Sequence, residues 1–438
     1  MFRGARKVFN YIFSVAKVFF LFLIVFLLPR LFMLYLHTDT YATPSQFKLG
    51  IENVSKQFLQ SLSKSGKNIE YAAAIVTNQT GKSSQGKRSI DILINKGVQI
   101  KKIFAPEHGI AGKTLAGKDV SDSTDKKTHI PIISLYGTGK TKGLTKKNIE
   151  HIDVLFFDMQ DCGMRHYTYI TTMFQTMDTA RKHGKKVVIF DRPNLLGPFM
   201  EGPLVEPELK SAISYAPIPL RYGMTIGELA RYYNKYILKK PAKLFIVPMK
   251  KYDRKMPTQN VFIAPLSPNI KNIHSCHGYS LLGLLGEVRP FYTGVGTNKA
   301  FQYILLPDST PFQIQKWKEL HEILKELYGI DTTFYRCRKG KKSFSGLQIL
   351  NSDKLIRQSS FNLLMNIIGF FQNAGVTFVF SKLFNKAVGT DKVIQYFNGK
   401  IKRKKLQNKI NTDLSHFYAK ASSCFIYAPS PKIKYADF

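Results

Sequence analysis

The sequence predicts an α/β protein: a Rossmann-like, mostly parallel sheet with helices on both faces, followed by a smaller α+β domain. From about residue 45 to residue 256, short apolar runs rich in β-formers alternate with longer amphipathic runs. Strands that are apolar on both faces and separated by helices form parallel sheets covered on both sides. At 438 residues, the chain also exceeds the size at which a single core keeps growing. We therefore predict an N-terminal segment over 1–42, the Rossmann-like domain over 43–257 and the smaller domain over 258–438.

The individual elements follow from the spacing of apolar residues. Residues 154–158, Val-Leu-Phe-Phe-Asp, are typical of a buried strand, and Ile90, Leu93 and Ile94 recur at helical spacing within 89–96. The segment 264–269, Ala-Pro-Leu-Ser-Pro-Asn, is predicted to be a linker or a loop that faces a crevice. The other predicted strands are 71–77, 100–105, 130–135 and 187–191, and the other predicted helices are 169–183, 310–328 and 361–372.

The N-terminal segment has the pattern of a membrane anchor or a signal peptide. Arg3, Arg6 and Lys7 precede an apolar run over 18–28, which resumes over 31–36 after Pro29-Arg30. The two runs together are just long enough to span a bilayer. We predict an uncleaved anchor with the rest of the chain outside the cytoplasm, because the positive-inside rule keeps the basic start inside. The alternative is a signal peptide that is cleaved after Ala42.

The charge of the chain indicates an anionic partner. The 65 Lys and Arg residues outnumber the 29 Asp and Glu residues, which gives a formal net charge of +36. Such an excess favours nucleic acid, phospholipid head groups or an acidic cell-wall polymer. The basic residues are scattered, and no RNP signature, zinc-finger spacing or helix-turn-helix pattern accompanies them. We therefore predict no nucleic-acid partner.

No cofactor or metal is predicted. No GxGxxG follows the first strand, no GxxxxGK[ST] is present, and the four widely separated cysteines form no CxxC pair. His108, Asp158, Asp161 and His166 are the best candidates for a metal site. Their spacing matches no standard set of ligands.

Polar residues follow three predicted strands, where an open α/β sheet binds its ligand. Glu107 lies in Pro106-Glu107-His108-Gly109 after residues 100–105, and further clusters occupy 158–161 and 191–194. A glutamate in such a loop serves as a general acid or a metal ligand, or only caps the next element. Three clusters at three strand ends predict one shared crevice.

The longest cluster, residues 158–169, holds an arginine and two tyrosines whose roles stay open. Arg165 can grip a carboxylate with its fork of donors, or can fix the loop by pairing with a neighbouring aspartate. Tyr167 and Tyr169 can stack on a sugar ring or begin the core of the next helix.

Several motifs in order resemble one family. The chain is similar to the exo-β-N-acetylmuramidases of the NamZ type, formerly a domain family of unknown function, over essentially everything after the N-terminal segment. The matching motifs are Thr77-Asn78-Gln79-Thr80-Gly81, Phe104-Ala105-Pro106-Glu107-His108-Gly109, Ser134-Leu135-Tyr136-Gly137, the stretches 158–161 and 165–169, Asp191-Arg192-Pro193-Asn194, Glu201-Gly202-Pro203, 223–230, Ser267-Pro268-Asn269 and 384–390.

The resemblance implies an exported peptidoglycan hydrolase that releases N-acetylmuramic acid from non-reducing ends, with Glu107 as the general acid/base. Its partners would be peptidoglycan-derived saccharides and, through the N-terminal segment, the membrane. The alternative is a non-catalytic muropeptide-binding protein on the same fold. For the second catalytic carboxylate we rank Asp161 and Glu201 ahead of Asp158, and the acetamido group of the substrate is a further alternative.

The resemblance also implies a set of substrate-binding residues. The lactyl carboxylate of N-acetylmuramic acid is a natural partner for Arg165 or Arg192. One departure concerns a motif that often reads Gly-Arg-Gly-Thr in the family and reads Gly294-Val295-Gly296-Thr297 here, with Arg289 close enough upstream to compensate. The predicted substrate-binding residues are Asn78, His108, Asp158, Gln160, Arg165, Tyr167, Tyr169, Arg192 and Asn194.

Overall fold

The structure is a computed structural model that describes residues 47–137, 143–310, 312 and 314–438. The part of the chain after residue 46 forms one compact unit. Within the described ranges, no helix is both long enough and apolar enough to cross a membrane. The predicted anchor or signal segment, residues 1–42, lies outside the described residues.

The structure confirms every strand predicted from the sequence and adds others that are two to eight residues long. The predicted strand at 154–158 is Val154–Asp158 in the structure, and each of the others shifts by a residue or two. In chain order they are β1 Ala72–Thr77, β2 Gln99–Ala105, β3 Ser123–Thr124, β4 Pro131–Ser134, β5 Val154–Asp158, β6 Lys186–Phe190, β7 Phe199–Glu201, β8 Arg221–Tyr222, β9 Lys243–Val247, β10 Val288–Arg289, β11 Tyr303–Pro307, β12 Thr332–Lys339, β13 Lys342–Ile349, β14 Val379–Phe380 and β15 Lys432–Lys434.

The four predicted helices are also confirmed. A π-helical turn, Tyr233–Ile237, extends one helix, and short 3-10 turns lie at Pro207–Leu209, Thr258–Val261 and Ser422–Cys424. The helices are α1 Gly50–Asn53, α2 Lys56–Ser61, α3 Ser89–Asn95, α4 Lys146–Ile149, α5 Tyr169–Lys182, α6 Ile226–Tyr232, α7 Ile273–Leu285, α8 Ile314–Tyr328, α9 Asp353–Arg357, α10 Ser360–Asn373, α11 Phe384–Val388, α12 Lys392–Phe397 and α13 Arg403–Ala421.

A seven-stranded sheet forms the centre of the first half and confirms the predicted α/β class. Its order is β3-β4-β2-β1-β5-β6-β9, and every neighbouring pair is parallel except β3 with β4. All five residues of β5 are buried, as expected for a central strand covered on both faces. The carboxyl ends of the parallel strands meet at one edge, where the predicted polar clusters begin.

The second half has smaller sheets together with helices, as predicted for an α+β domain. Strands β11, β13 and β12 form an antiparallel sheet, and β10 pairs with β14. The last strand, β15, returns to the first half and pairs with β7. One hydrophobic cluster includes Met173 from the first half and Leu282 from the second. The two halves therefore pack against each other through a shared hydrophobic cluster. The domain boundary between residues 257 and 258 stays a prediction.

Candidate functional site

A cavity of about 670 Å³ lies at the carboxyl edge of the parallel strands. Glu107, Tyr136 and Thr168 line it from the loops that follow β2, β4 and β5. Residues of the second half complete its wall, including Asn269 of the predicted crevice loop and Tyr279 of α7. The structure therefore places the site where the sheet topology predicts it.

Glu107 is held in the cavity wall by a tight turn after β2. His108 and Gly109 both adopt the left-handed conformation, with φ of 70° and 75°, and the Nδ1 atom of His108 lies 2.7 Å from the carbonyl oxygen of Thr114. Glu107 is 8% exposed. Its Oε2 accepts a 2.7 Å hydrogen bond from the Thr168 hydroxyl, and its Oε1 accepts one of 3.1 Å from the Gly117 N–H. The carboxylate thus has a fixed orientation and few competing partners.

Tyr136 is a further neighbour of this carboxylate. Burial, followed by the negative charge of Glu107 and a hydrogen bond with it, raises the pKa of Tyr136 to about 12. The phenol therefore stays protonated at neutral pH and acts as a donor toward Glu107. Three donors of different flexibility, a phenol, an alcohol and a backbone N–H, surround one carboxylate.

Aromatic rings form much of the remaining wall. The ring of Tyr279 lies 4.7 Å from that of His166, 4.9 Å from that of Phe301 and 5.9 Å from that of Tyr167, centroid to centroid. Tyr167 and Tyr169 both donate to the carbonyl oxygen of Leu266, at 3.0 and 2.7 Å. Tyr167 lines the cavity and Tyr169 does not. Flat apolar faces with polar rims suit the binding of a sugar ring.

His166 lies in this wall as a neutral imidazole. Burial, with a contribution from the charge of Arg165, lowers its pKa to about 3. Neither ring nitrogen has a hydrogen-bond partner within the described part of the chain.

Asp158 and Arg192 form a buried ion pair and do not line the cavity. Their atoms approach at 2.5 Å (Nε to Oδ1) and 2.8 Å (Nη2 to Oδ2), and both side chains are fully buried. The Ser89 hydroxyl donates to the same carboxylate, and Arg192 also donates to the carbonyl oxygen of Lys82 at 2.8 Å. The pair fixes the ends of β5 and β6 relative to the loop after β1.

Arg165 is likewise used within the fold. It is 1% exposed and donates to the carbonyl oxygens of Pro203 (2.6 Å), Ile218 (2.7 Å) and Ala387 (2.9 Å) and to the Ser214 hydroxyl (3.2 Å). Its donors bind backbone from both halves of the chain. Four of its five N–H donors are used in this way, and the side chain does not line the cavity.

The two carboxylates ranked as partners of Glu107 lie outside the cavity wall. Glu201 pairs with Arg221 at 3.1 Å and accepts hydrogen bonds at the start of α10, from the Ser359 hydroxyl and from the N–H groups of Ser360 and Phe361. Asp161 accepts from the Tyr222 hydroxyl and from the Gly163 N–H at 2.8 Å. Burial raises the pKa of Asp161 to about 7, against the lowering effect of these hydrogen bonds.

The predicted amides hold loops. Asn78 accepts from the N–H and hydroxyl of Thr80, at 3.0 and 2.6 Å. Gln160 donates to the carbonyl oxygens of Asp161 and Pro193, and Asn194 donates to that of Met224. None of the three amides is among the residues that line the cavity. Of the predicted site residues, the cavity therefore brings together Glu107, His108 and Tyr167.

Sequence reasoning assigned no role to several residues that line the cavity. Tyr136 and Thr168 lie in motifs that resemble the family, after β4 and β5. Their positions beyond strand ends could have indicated a place in the cavity wall. Glu287 and Lys339 carry no local signal, because their place in the wall depends on how the second half packs. Within the described ranges, no group of three or more His, Cys, Asp or Glu side chains is placed to hold a metal.

Known proteins resemble this chain in sequence and in fold. Residues 73–274 match the family model described as exo-beta-N-acetylmuramidase NamZ, N-terminal. Over 298 residues, the chain is 39% identical to peptidoglycan beta-N-acetylmuramidase NamZ of Bacillus subtilis (strain 168). The aligned region covers 67% of this chain and 68% of that protein.

Two crystal structures of DUF1343 family proteins from Bacteroides fragilis share the fold. One superposes with a TM-score of 0.73 at 27% identity and the other with 0.67 at 25%. Each alignment covers 87% of this chain and 99% of the other.

Proposed function

Because the chain belongs to the NamZ family of exo-β-N-acetylmuramidases, we propose that it is a glycoside hydrolase of peptidoglycan that releases N-acetylmuramic acid from non-reducing ends. The relative from Bacillus subtilis is named a peptidoglycan beta-N-acetylmuramidase, which supports this proposal. An anionic cell-wall substrate also suits a chain with a formal charge of +36.

The main observation in support of the proposed mechanism is the position of Glu107. It is a carboxylate in the wall of an aromatic-lined cavity, oriented by Thr168 and Gly117. Cleavage of a glycosidic bond requires a proton on the leaving oxygen, and a positioned carboxyl group supplies it. We assign Glu107 as this general acid, and as the base that later activates water.

Asp161 and Glu201 have no part in the proposed chemistry. Both carboxylates bind groups of the protein itself, and neither lines the cavity. Glu287 is the other carboxylate of the described cavity wall, and the Ser381 hydroxyl donates to it. Two routes are then open for the second catalytic group: in the first it is Glu287, and in the second it is the acetamido group of the substrate. Loss of turnover in Glu287→Gln supports the first route, and unchanged turnover supports the second.

The test of Glu107 uses two substrates with different leaving groups. A nitrophenyl β-N-acetylmuramide departs with little protonation, whereas a disaccharide ending in N-acetylmuramic acid needs the acid. We expect Glu107→Gln to lower kcat on the disaccharide by about 10²–10⁴-fold, the usual contribution of general acid catalysis, and to lower it much less on the nitrophenyl glycoside.

The exposed Glu150 provides the matched control, because Glu150→Gln removes a carboxylate far from the proposed chemistry. Equal losses on both substrates in Glu107→Gln would remove the acid role. Wild-type protein that binds muropeptides but turns over neither substrate would favour the non-catalytic binder.

We also propose that the catalytic body works outside the cytoplasmic membrane, tethered by residues 8–36. The basic residues before the apolar runs and the length of those runs support this. A carbonate wash of membranes should leave the protein in the pellet. Release by the wash, with a mature N-terminus at Thr43, would instead favour a cleaved signal peptide.

A further inference from the structure

Arg289 lines the cavity from the short strand β10. Val288 and Arg289 pair with Phe380 and Val379 of β14. Successive strand residues face opposite sides, and here Val288 is fully buried in the core while Glu287 and Arg289 line the cavity. Arg289 is exposed. Its guanidinium has no ion pair or hydrogen bond with any residue of the described ranges.

Lys339 brings a second positive charge to the same cavity. It is the last residue of β12, and its ammonium group lies 4.5 Å from the ring centroid of Tyr292 and donates to the carbonyl oxygen of Val295 at 3.2 Å. These contacts hold the charge over the wall and leave further N–H groups of the ammonium for a ligand. Arg289 and Lys339 together are called the cationic rim.

Neither cation of the rim forms an ion pair with a carboxylate of the described residues. No other Lys or Arg of the described chain lines the cavity. Of the two carboxylates in the wall, Glu107 is held by Thr168 and Gly117, and Glu287 by Ser381. Donors other than Arg289 and Lys339 thus hold both carboxylates, which leaves the two cations available to a ligand that carries an acid group.

N-Acetylmuramic acid differs from N-acetylglucosamine by a lactyl ether that ends in a carboxylate. Arg165 and Arg192, which the sequence offers for this group, are fully buried and do not line the cavity. We propose that Arg289, with Lys339, binds the lactyl carboxylate and so selects muramic acid ends over glucosamine ends. This inference rests on the proposed function.

The experiment measures calorimetric binding of three sugars to the full-length protein: N-acetylmuramic acid, its lactyl carboxamide and N-acetylglucosamine. The carboxamide keeps the shape of the lactyl group and removes its charge. We expect wild type to bind the acid about 10- to 100-fold more tightly than the carboxamide, as for a charge-assisted bidentate contact. The ratio should fall several-fold in Lys339→Gln and approach one in Arg289→Gln.

The matched control is Arg338→Gln, which removes an exposed charge next to Lys339 from a side chain that donates to Gly340 instead. It should leave the acid-to-carboxamide ratio unchanged. In turnover of a muramide, Arg289→Gln should raise KM about 10-fold or more and change kcat little, because the carboxylate is distant from the bond that breaks.

The two proposals fail in different ways. An acid-to-carboxamide ratio that is unchanged in Arg289→Gln and in the double variant with Lys339→Gln overturns the inference, whatever the activity. A normal ratio in a wild-type protein that hydrolyses no muramide supports the inference about recognition and overturns the proposed function. A ratio lost equally in Arg338→Gln shows only general charge attraction and also overturns the inference.

Discussion

Asp161→Asn should make the protein more stable at pH 8 and leave it nearly unchanged in acid. Asp161 is 3% exposed, and burial raises its pKa from the ordinary 3.8 to about 7. A raised pKa means that the folded state favours the protonated form. The contribution of Asp161 to stability is therefore complete below pH 3.8 and is lost as the pH rises through about 7.

The magnitude follows from the difference between the two pKa values. A separation of about 3 units corresponds to ~4 kcal/mol, at roughly 1.4 kcal/mol per unit. Between pH 4.5 and pH 8 about 3 kcal/mol of this is lost, because the unfolded carboxyl is already mostly ionised at pH 4.5. Asparagine keeps the acceptor oxygen for Tyr222 and Gly163 but carries no charge at any pH. The variant should therefore not lose these ~3 kcal/mol of stability between pH 4.5 and pH 8.

The assay is urea unfolding of wild type and variant at pH 4.5 and pH 8. The difference between the two proteins is the informative quantity, because His166 and His277 titrate in the opposite sense. Burial lowers the pKa of each to about 3, so their contribution is present above pH 6.5 and is lost as the pH falls toward 3. These terms are common to both proteins and cancel in the difference.

The exposed Asp437 supplies a control variant, Asp437→Asn, for the general effect of removing one negative charge from a basic protein. A stability difference between wild type and Asp161→Asn that is the same at both pH values would refute the assignment. Loss of hydrolysis in a folded Asp161→Asn protein would return this carboxylate to the mechanism.

Three further variants test the donors around Glu107 and the ion pair of Glu201. Thr168→Val removes the hydroxyl that donates to Glu107 and should lower kcat/KM by about 10- to 100-fold, as for a hydrogen bond to a charged group, with partial recovery in Thr168→Ser. Tyr136→Phe removes the phenol that donates to the same carboxylate and should also lower kcat/KM, by about 10- to 100-fold; a kcat/KM equal to that of wild type would contradict this role. Glu201→Gln leaves Arg221 buried without its anion and should lower the free energy of unfolding by about 3–5 kcal/mol in urea titrations. The folded fraction should keep its turnover of a nitrophenyl muramide.

The parts of the fold that were predictable are those in which local sequence and burial agree. The strand at 154–158 is apolar on every side chain until Asp158, because helices cover both faces of the sheet. The edge strand β9, Lys243–Val247, was not predicted. Four of its five residues are partly or fully exposed, so its pattern lacks the fully buried signature. The pairing of β15 with β7 joins residues more than 200 positions apart, and no local pattern encodes it.

Glu107 was predictable because a proline, a carboxylate and a glycine after a strand define a turn that presents the carboxylate. Asp158, Arg165 and Glu201 share the same kind of position and have a different role. Polar residues beside strand ends serve two needs: they face the ligand, or they satisfy backbone and charges that the loops bury. Sequence alone does not separate the two, because both need the same side chains.

The charge of the chain shows the same limit at a larger scale. An excess of 36 positive charges raises the local concentration of an anionic polymer, but beyond about 10 Å such attraction is screened by salt and does not distinguish one sugar from another. Selection needs charges at defined positions in the cavity that binds the substrate. Of the 65 basic residues, Arg289 and Lys339 are the two that the described part of the fold brings to the cavity. That placement depends on β10 and on the end of β12, both in the second half. The first half therefore provides the carboxylate proposed to react, and the second half provides the charges proposed to select its substrate.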